Sequence, residues 1–128
     1  MGLTKDYATT LYKWLNTIAP TFRSPLVFDK DHPAPDEYIE YSVSVGNFNT
    51  EFIQPLTIYS QSTGFNNLME IVDNIESQIT EKGLKLEDDW GYIVIHKGSP
   101  FAQDKPDEDA SVRASYINLL VKIYQYNV

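Results

Sequence analysis

Two stretches of the chain place their apolar residues at the spacing of an α-helix. Residues 65–79 carry them at offsets 0, 3, 4, 7, 10 and 14, which form one stripe of a helix. A second stripe runs through residues 4–19 and stops at Pro20, which cannot continue a helix. We therefore predict an N-terminal helix and a central amphipathic helix. The central stripe, which we expect to be buried, consists of Phe65, Leu68, Met69, Val72, Ile75 and Ile79.

The other apolar residues mostly alternate with polar ones, as the two faces of a β-strand require. Residues 37–46 and 51–61 are separated by a turn at 47–50, and together they predict a β-hairpin. Further strands are predicted at residues 90–97 and 111–128, with a short edge strand at 26–28. The polar, proline-containing residues 29–36 and 98–109 are interpreted as loops.

These elements predict an α+β fold in a single domain that spans residues 1–128. We expect a mostly antiparallel, mixed sheet that is packed by the N-terminal helix and the central helix. The strand at 90–97 is apolar in both of its side-chain rows, so we expect both of its faces to be covered. Pro55 lies inside a predicted strand and lacks a backbone donor, which predicts either an edge strand or a bulge. An edge strand would be available to pair with another chain.

Composition narrows the classes of function. The chain has 18 acidic and 10 basic residues, for a net charge of −8, and no two basic residues are adjacent. This balance argues against binding of nucleic acid through its phosphates, which requires clustered cations. Cysteine is absent, which excludes disulfides and thiolate metal sites. The chain shows neither the apolar core of a signal peptide nor a run long enough to span a membrane, so we expect no membrane partner.

The residues that most often carry catalysis form no recognisable pattern. His32 lies in a proline-containing acidic loop that lacks the glycine and the closing acid of a calcium loop, so a solvated loop is the simpler interpretation. His96 lies on a predicted strand, where a half-buried structural histidine is more common than a lone ligand. The serines lie in no nucleophile motif, and the dispersed glycines form no phosphate loop. We therefore expect a protein that is not an enzyme and has no cofactor or metal.

What remains is the surface. The last predicted strand places Tyr116, Leu120, Tyr124 and Tyr126 on one nominally outward face. Mixed aromatic and aliphatic faces suit protein interfaces, because tyrosine contributes both apolar area and a hydrogen bond. Coverage of this face by the N-terminal helix is the alternative, and the two interpretations are compatible with each other.

The chain resembles the tail terminator and minor capsid (head–tail joining) proteins of long-tailed bacteriophages. Residues 54–59 leading into residues 65–72, together with residues 113–124, carry the likeness, which is one of pattern and covers nearly the whole chain. The resemblance implies a virion protein of the tail or neck, made in the cytoplasm of a bacterial host. Such a protein closes into a ring with copies of itself, commonly a hexamer. The ring stops growth of the tail tube and joins the tail to the head.

Under this hypothesis the partners are the tail-tube protein and a head-completion or neck protein, and DNA passes through the ring without specific binding. Ring closure requires two different surfaces on each subunit. Our candidates for the subunit interface are Pro55, Tyr59, Tyr116, Leu120, Tyr124 and Tyr126. Our candidates for loops that contact the lumen or neighbouring rings are Asn47, Phe48, Asn49, Asp104, Lys105, Asp107, Glu108 and Asp109.

Two alternatives stay open at this point. Another neck or head-completion connector would share the fold style and the charge and would differ in its partner. A small cytosolic ligand-binding or regulatory domain would instead have a closed apolar pocket and would remain a monomer or a dimer.

Overall fold

The computed structural model of the chain describes residues 2–26, 28–43, 45, 49–62, 64–105 and 112–126. Both predicted helices lie within these ranges, and the first one ends ahead of Pro20. The elements in chain order are α1 (Leu3–Leu15), β1 (Thr21–Arg23), β2 (Glu37–Tyr41), β3 (Phe52–Ser60), α2 (Asn66–Gln78), β4 (Leu84–Asp88), β5 (Gly91–Lys105) and β6 (Arg113–Gln125).

The six strands form one sheet in the order β1–β2–β3–β6–β5–β4. β1 runs parallel to β2, and the other neighbouring pairs are antiparallel. The predicted hairpin is confirmed as β2–β3, while β4, β5 and β6 form a meander. α2 connects β3, inside the sheet, to β4 at the far edge. The α+β fold with a mostly antiparallel mixed sheet is therefore confirmed.

Both helices pack on the same face of the sheet, so the protein has two layers. The ring of Tyr7 on α1 lies 5.5 Å from the ring of Phe52 on β3, edge to face. Along β3 the buried positions alternate with more exposed ones, as expected for a strand with one covered face. The core that the helices and strands share includes Leu11, Leu15, Ile39, Leu56, Ile58, Leu68, Ile75, Ile93, Ile95, Ile117, Leu119 and Val121.

The predicted stripe of α2 is correct at its centre and wrong at its margin. Leu68, Val72 and Ile75 are buried, whereas Phe65 and Met69 are 50% and 46% exposed. A sheet that packs on one side of a helix covers only part of the helix circumference, and these two side chains fall outside the covered part. Two large apolar side chains are therefore exposed to solvent, Met69 on α2 and Phe65 at its N-cap.

Side-chain hydrogen bonds fix α1 to the rest of the fold. The indole N–H of Trp14 donates to Gln78 Oε1 on α2 at 2.8 Å. The indole N–H of Trp90, in the β4–β5 turn, donates to the Thr10 hydroxyl at 3.0 Å. Lys13 also pairs with the carboxylate of Asp88 at 3.1 Å. Both tryptophans thus hold α1 at its junctions with neighbouring elements.

The prediction of a loop at residues 98–109 is wrong for its first part. β5 continues to Lys105, so Asp104 and Lys105 lie on a strand, opposite Ser115 and Ala114 of β6. A shift in register between Lys97 and Ala102 accommodates the irregular segment within the strand. The strand persists because the long β6 offers a continuous row of hydrogen-bonding partners, a non-local effect that local polarity does not reveal. Asp107, Glu108 and Asp109 lie outside the described residues.

The edge-strand interpretation of Pro55 is also wrong. β3 lies between β2 and β6, and the edges of the sheet are β1 and β4. The backbone N–H of Gln61 points toward the β2 side, where it donates to the Asp36 carbonyl. Because the backbone N–H direction alternates along a strand, the backbone nitrogen of position 55 points to the same side. The missing donor of Pro55 is replaced by the neighbouring side chain, because Gln54 Nε2 donates to the Ser42 carbonyl at 2.7 Å. This substitution allows a proline at the position where the pairing of β3 with β2 ends, while β3 continues along β6.

The short strand predicted at residues 26–28 is wrong. Leu26 and Phe28, the described residues of that segment, lie outside any strand, and the first strand is instead β1, Thr21–Arg23.

Two predictions about coverage also fail. α1 packs on the face of the sheet opposite Tyr116, and no described helix covers the side chains of Tyr92 and Val94 on β5. The sheet is therefore covered on one face only within the described part of the chain.

Candidate interaction surface

The face of the sheet that points away from both helices carries the residues of greatest functional interest, and we refer to it as the open face. Cross-strand pairs define it, since directly paired residues point to the same side. Thr57 pairs with Tyr116, and Ile53 pairs with Leu120. Ile53 is 45% exposed and Tyr116 is 42% exposed. Further members are Phe22, Tyr38, Glu40, Pro55, Tyr59, Lys85, Glu87, Tyr92, Val94, His96, Lys105, Asn118, Lys122 and Tyr124.

At the β4 side of the open face, two lysines enclose a pair of stacked tyrosines. The rings of Tyr92 and Tyr124 are parallel within 13° and 4.8 Å apart between centroids. Lys85 Nζ lies 4.3 Å from the centroid of Tyr92, and Lys122 Nζ lies 5.2 Å from that of Tyr124. Tyr126, just beyond β6, packs against Tyr92 and donates its hydroxyl to the Glu87 carboxylate. The ring faces in this cluster are thus occupied by one another and by ammonium groups.

A second aromatic cluster lies at the β1 side. The rings of Tyr38 and Tyr59 stack at 4.9 Å, and Phe22 and Phe28 meet Tyr38 edge-on. Lys105 Nζ donates to the Tyr59 hydroxyl at 3.0 Å. The Lys105 ammonium also lies 5.6 Å from the centroid of the exposed Tyr116 ring. Both ends of the open face therefore combine tyrosine rings with nearby lysine ammonium groups.

A hollow of about 410 Å³ lies between the open face and the segment that precedes β3. Its lining includes Val94, His96, Lys122, Tyr124 and residues 49–51. Asn49, a predicted loop contact, therefore lies at the rim of the open face. The hollow is a broad concavity, and Thr50 and Tyr124 bring hydroxyl groups to the same lining as His96.

The described residues offer no site for a metal ion: no group of three or more His, Cys, Asp or Glu side chains converges among them. His32 Nδ1 lies 3.4 Å from Asp29 Oδ1, and both side chains are largely exposed. The backbone N–H groups of Asp31 and His32 also bond to Asp29 Oδ1. The Asp29 carboxylate thus forms local hydrogen bonds to the backbone of its own loop, as aspartate does in solvated turns. In the same part of the chain, neither helix is long and apolar enough to cross a bilayer.

A second concavity, of about 550 Å³, separates α2 from the segments that precede β1 and β2, and Glu37 lies on its wall. The Glu37 carboxylate accepts hydrogen bonds from Ser62 at 2.8 Å, Ser60 at 2.9 Å and Asn67 at 3.5 Å. Burial raises the pKa of Glu37, but these bonds outweigh burial and hold the pKa below its ordinary value of 4.5. Glu37 therefore ties the start of α2 to β2.

Replacing Glu37 by Gln is expected to make stability less dependent on pH. A carboxyl whose pKa is lowered by folding stabilises the folded state above its ordinary pKa of 4.5, and this stabilisation is lost as the pH falls through the lowered pKa. The difference in unfolding free energy between wild type and Glu37→Gln should be largest near neutral pH and shrink below 4.5. Urea unfolding at about pH 7 and about pH 3 measures it. A difference that is equal at the two pH values would contradict this account, and Ser60→Ala/Ser62→Ala should remove most of the same dependence.

The structure brings most of the predicted interface residues together. Tyr116, Leu120 and Tyr124 share the open face with Tyr59 and Pro55, and Tyr126 packs beside them. Of the predicted loop contacts, Lys105 joins the same face, Asp104 points to the other side, and Asn49 lies at the rim. Asn47 and Phe48, like the acids at 107–109, lie outside the described residues.

Several members of the open face escaped the sequence-based prediction, among them Tyr38, Tyr92, Lys85 and Lys122. The signal that could have found Tyr38 and Tyr92 is the alternation within their own strands, which sets them apart from Ile39 and Ile93.

Comparisons with known proteins add no identification: no protein-family model matches the chain, and no curated protein matches it.

Proposed function

We propose that this protein is a structural, non-enzymatic subunit that forms a ring at the head-proximal end of a bacteriophage tail. In this role the ring stops growth of the tail tube and joins the tail to the head, within the virion. The observation that carries the proposal is the open face, on which a lone subunit leaves Ile53, Tyr116 and two clusters of aromatic rings next to water. The resemblance of residues 54–72 and 113–124 to tail terminator proteins supplies the specific role.

The chemistry of the open face suits a contact between proteins. Tyrosine is enriched at interfaces because a large rigid ring is buried at little cost in side-chain entropy and its hydroxyl forms a hydrogen bond. Exposed apolar patches bordered by polar groups commonly mark interaction sites. Asn118 and His96 supply such polar groups beside Leu120.

The sheet faces support association better than the sheet edges do. The edge strand β1 has three residues and the edge strand β4 has five, so strand addition at either edge would form few hydrogen bonds. The open face and the outer surface of the helical layer offer a larger area. The proposed contact therefore lies on these two surfaces and not at the edges, where the sequence suggested it.

The net charge of −8 is compatible with a ring through which DNA passes. An acidic surface repels phosphate, so DNA would not adhere during its passage. The proposed partners remain the tail-tube protein, a head-completion or neck protein, and further copies of this chain.

The mass in solution and the shape of particles in negative-stain electron microscopy test the proposal. We expect ring-shaped oligomers when the protein is concentrated or mixed with tail-tube protein. Tyr116→Glu should weaken association by about tenfold or more, because it puts a charge at the centre of the contact. Tyr12→Glu is the matched control, since Tyr12 is similarly exposed at 40% but lies on α1. A wild-type protein that stays a monomer under both conditions would overturn the proposal.

A further inference from the structure

We propose that neighbouring copies meet through two different surfaces: the open face of one copy docks against the outer face of α2 in the next. The outer face of α2 is defined by the exposed residues Phe65, at the N-cap of the helix, and Met69, Asp73 and Glu76. This inference rests on the ring proposed above and specifies how the ring is built.

The outer face of α2 combines acidic and apolar groups. α2 contains three acidic residues, Glu70, Asp73 and Glu76, and no basic residue. Phe65 and Met69 are the large apolar side chains that α2 leaves exposed. The guanidinium of Arg113, on β6, lies 5.4 Å from the centroid of Phe65 and is the cation at one end of this surface. At the other end, beyond the first turn of α2, the surface is acidic.

The open face supplies the complementary chemistry. Its strands carry the lysines Lys85, Lys105 and Lys122 against the glutamates Glu40 and Glu87. Both glutamates already accept hydrogen bonds within the subunit, Glu40 from Ser24 and Glu87 from Tyr126, and Glu51 borders the hollow beside Lys122. A subunit with a net charge of −8 repels its copies unless cations of one meet anions of the next. The lysines of the open face and the acids of α2 provide such a match.

The positions of the two surfaces make the contact head-to-tail. Phe65, Met69, Asp73 and Glu76 follow one another at offsets 0, 4, 8 and 11, which is one side of α2. The other side of α2 faces α1, where Trp14 bonds to Gln78. The outer face thus lies on the flank of the helical layer away from α1, while the open face lies on the sheet. A contact between two different surfaces repeats around a ring when the rotation closes.

Single-stranded nucleic acid is a less suitable occupant of the open face. Bases bind to sheets by stacking on free aromatic faces, alongside cations that contact phosphate. Here Tyr92 and Tyr124 stack on each other and are flanked by lysines, and Tyr38 stacks on Tyr59. The ring faces in these clusters are thus already used within the subunit.

Paired charge reversals test the contact. One variant carries Lys85→Glu and Lys122→Glu on the open face, and the other carries Asp73→Lys and Glu76→Lys on α2. Each variant alone should associate about 100-fold more weakly than the wild type, because like charges then face each other across every contact. An equimolar mixture should reassemble into alternating oligomers, because each kind of contact then pairs lysine with carboxylate. Light scattering reports the masses, and far-ultraviolet circular dichroism confirms that both variants are folded.

Control variants and the remaining outcomes decide between the explanations. Lys5→Glu/Lys30→Glu changes the net charge by the same amount as the open-face variant, but at exposed positions outside both surfaces. It should assemble like the wild type. Wild-type assembly by the α2 variant alone, or a mixture that stays dissociated, would overturn the inference while leaving the proposed ring intact. A wild-type protein that is monomeric throughout would overturn both. Tight binding of a labelled oligodeoxythymidylate that is lost in the open-face variant would assign this surface to nucleic acid and also overturn the inference.

Discussion

Truncating Leu68 to Ala is expected to lower the free energy of unfolding by about 2–5 kcal/mol, and Ile75→Ala should have an effect of the same size. Both side chains are fully buried on α2 and contribute to the core between the helix and the sheet. Removal of a buried aliphatic side chain loses its transfer free energy and leaves a cavity that a close-packed interior fills incompletely.

Met69→Ala is the matched control for this prediction. Met69 follows Leu68 directly on α2 but is 46% exposed, so its truncation should change stability by less than about 1 kcal/mol. Urea unfolding followed by circular dichroism measures the differences, provided that the dependence on denaturant is unchanged among the variants. Similar losses for Leu68→Ala and Met69→Ala would show that α2 is not seated on the sheet by the line of residues described here.

The second large effect is expected at Gln54, a fully buried polar residue in the middle of the sheet. Its Oε1 accepts a hydrogen bond of 2.8 Å from the Tyr7 hydroxyl on α1, while its Nε2 donates to the Ser42 carbonyl. Burial raises the pKa of Tyr7 well above its ordinary value, so this hydroxyl remains a donor at any physiological pH. Gln54 thus connects α1, β2 and β3 through one side chain.

Gln54→Leu keeps the volume of the side chain and removes its polar groups. It is expected to cost about 2–3 kcal/mol of stability, because the Tyr7 hydroxyl is left buried without this partner and the end of β2 loses a hydrogen bond. Adding Tyr7→Phe should recover about 1 kcal/mol or more of the loss, since it removes the orphaned hydroxyl. The double-mutant cycle is measured by chemical denaturation. A double variant less stable than Gln54→Leu alone would refute the pairing of Tyr7 with Gln54.

Local periodicity predicted the elements that local sequence controls. α1, α2 and the β2–β3 hairpin each carry a continuous pattern within one stretch of chain, and each is confirmed, although β2 ends at Tyr41 rather than at the predicted residue 46. β5 beyond Lys97 was missed because polar and proline residues mask a strand that exists through its pairing with β6. Pro55 was misassigned for a related reason: its neighbour Gln54 supplies the missing donor, and sequence patterns do not reveal a side chain that substitutes for the backbone.

The candidate surface was predicted in part. The shared face of Tyr116, Leu120 and Tyr124 follows from alternation along a single strand. The contributions of Tyr92, Tyr38 and the lysines depend on the order of the strands, which joins residues from β4, β5 and β2 to those of β6 and β3. Sequence also could not show which face the helices cover, because both rows of several strands contain apolar residues.

Both tryptophans lie beside α1 and outside the tyrosine clusters of the open face, which gives the protein two built-in optical signals. Trp14 and Trp90 lie at the junctions of α1, where their indole N–H groups bond to Gln78 and Thr10. Tyrosines, in contrast, line the open face in both clusters. Emission excited selectively in tryptophan should therefore follow detachment of α1 during unfolding, whereas the near-ultraviolet tyrosine signal should change when copies associate. Folding and assembly could then be followed separately in one unlabelled sample.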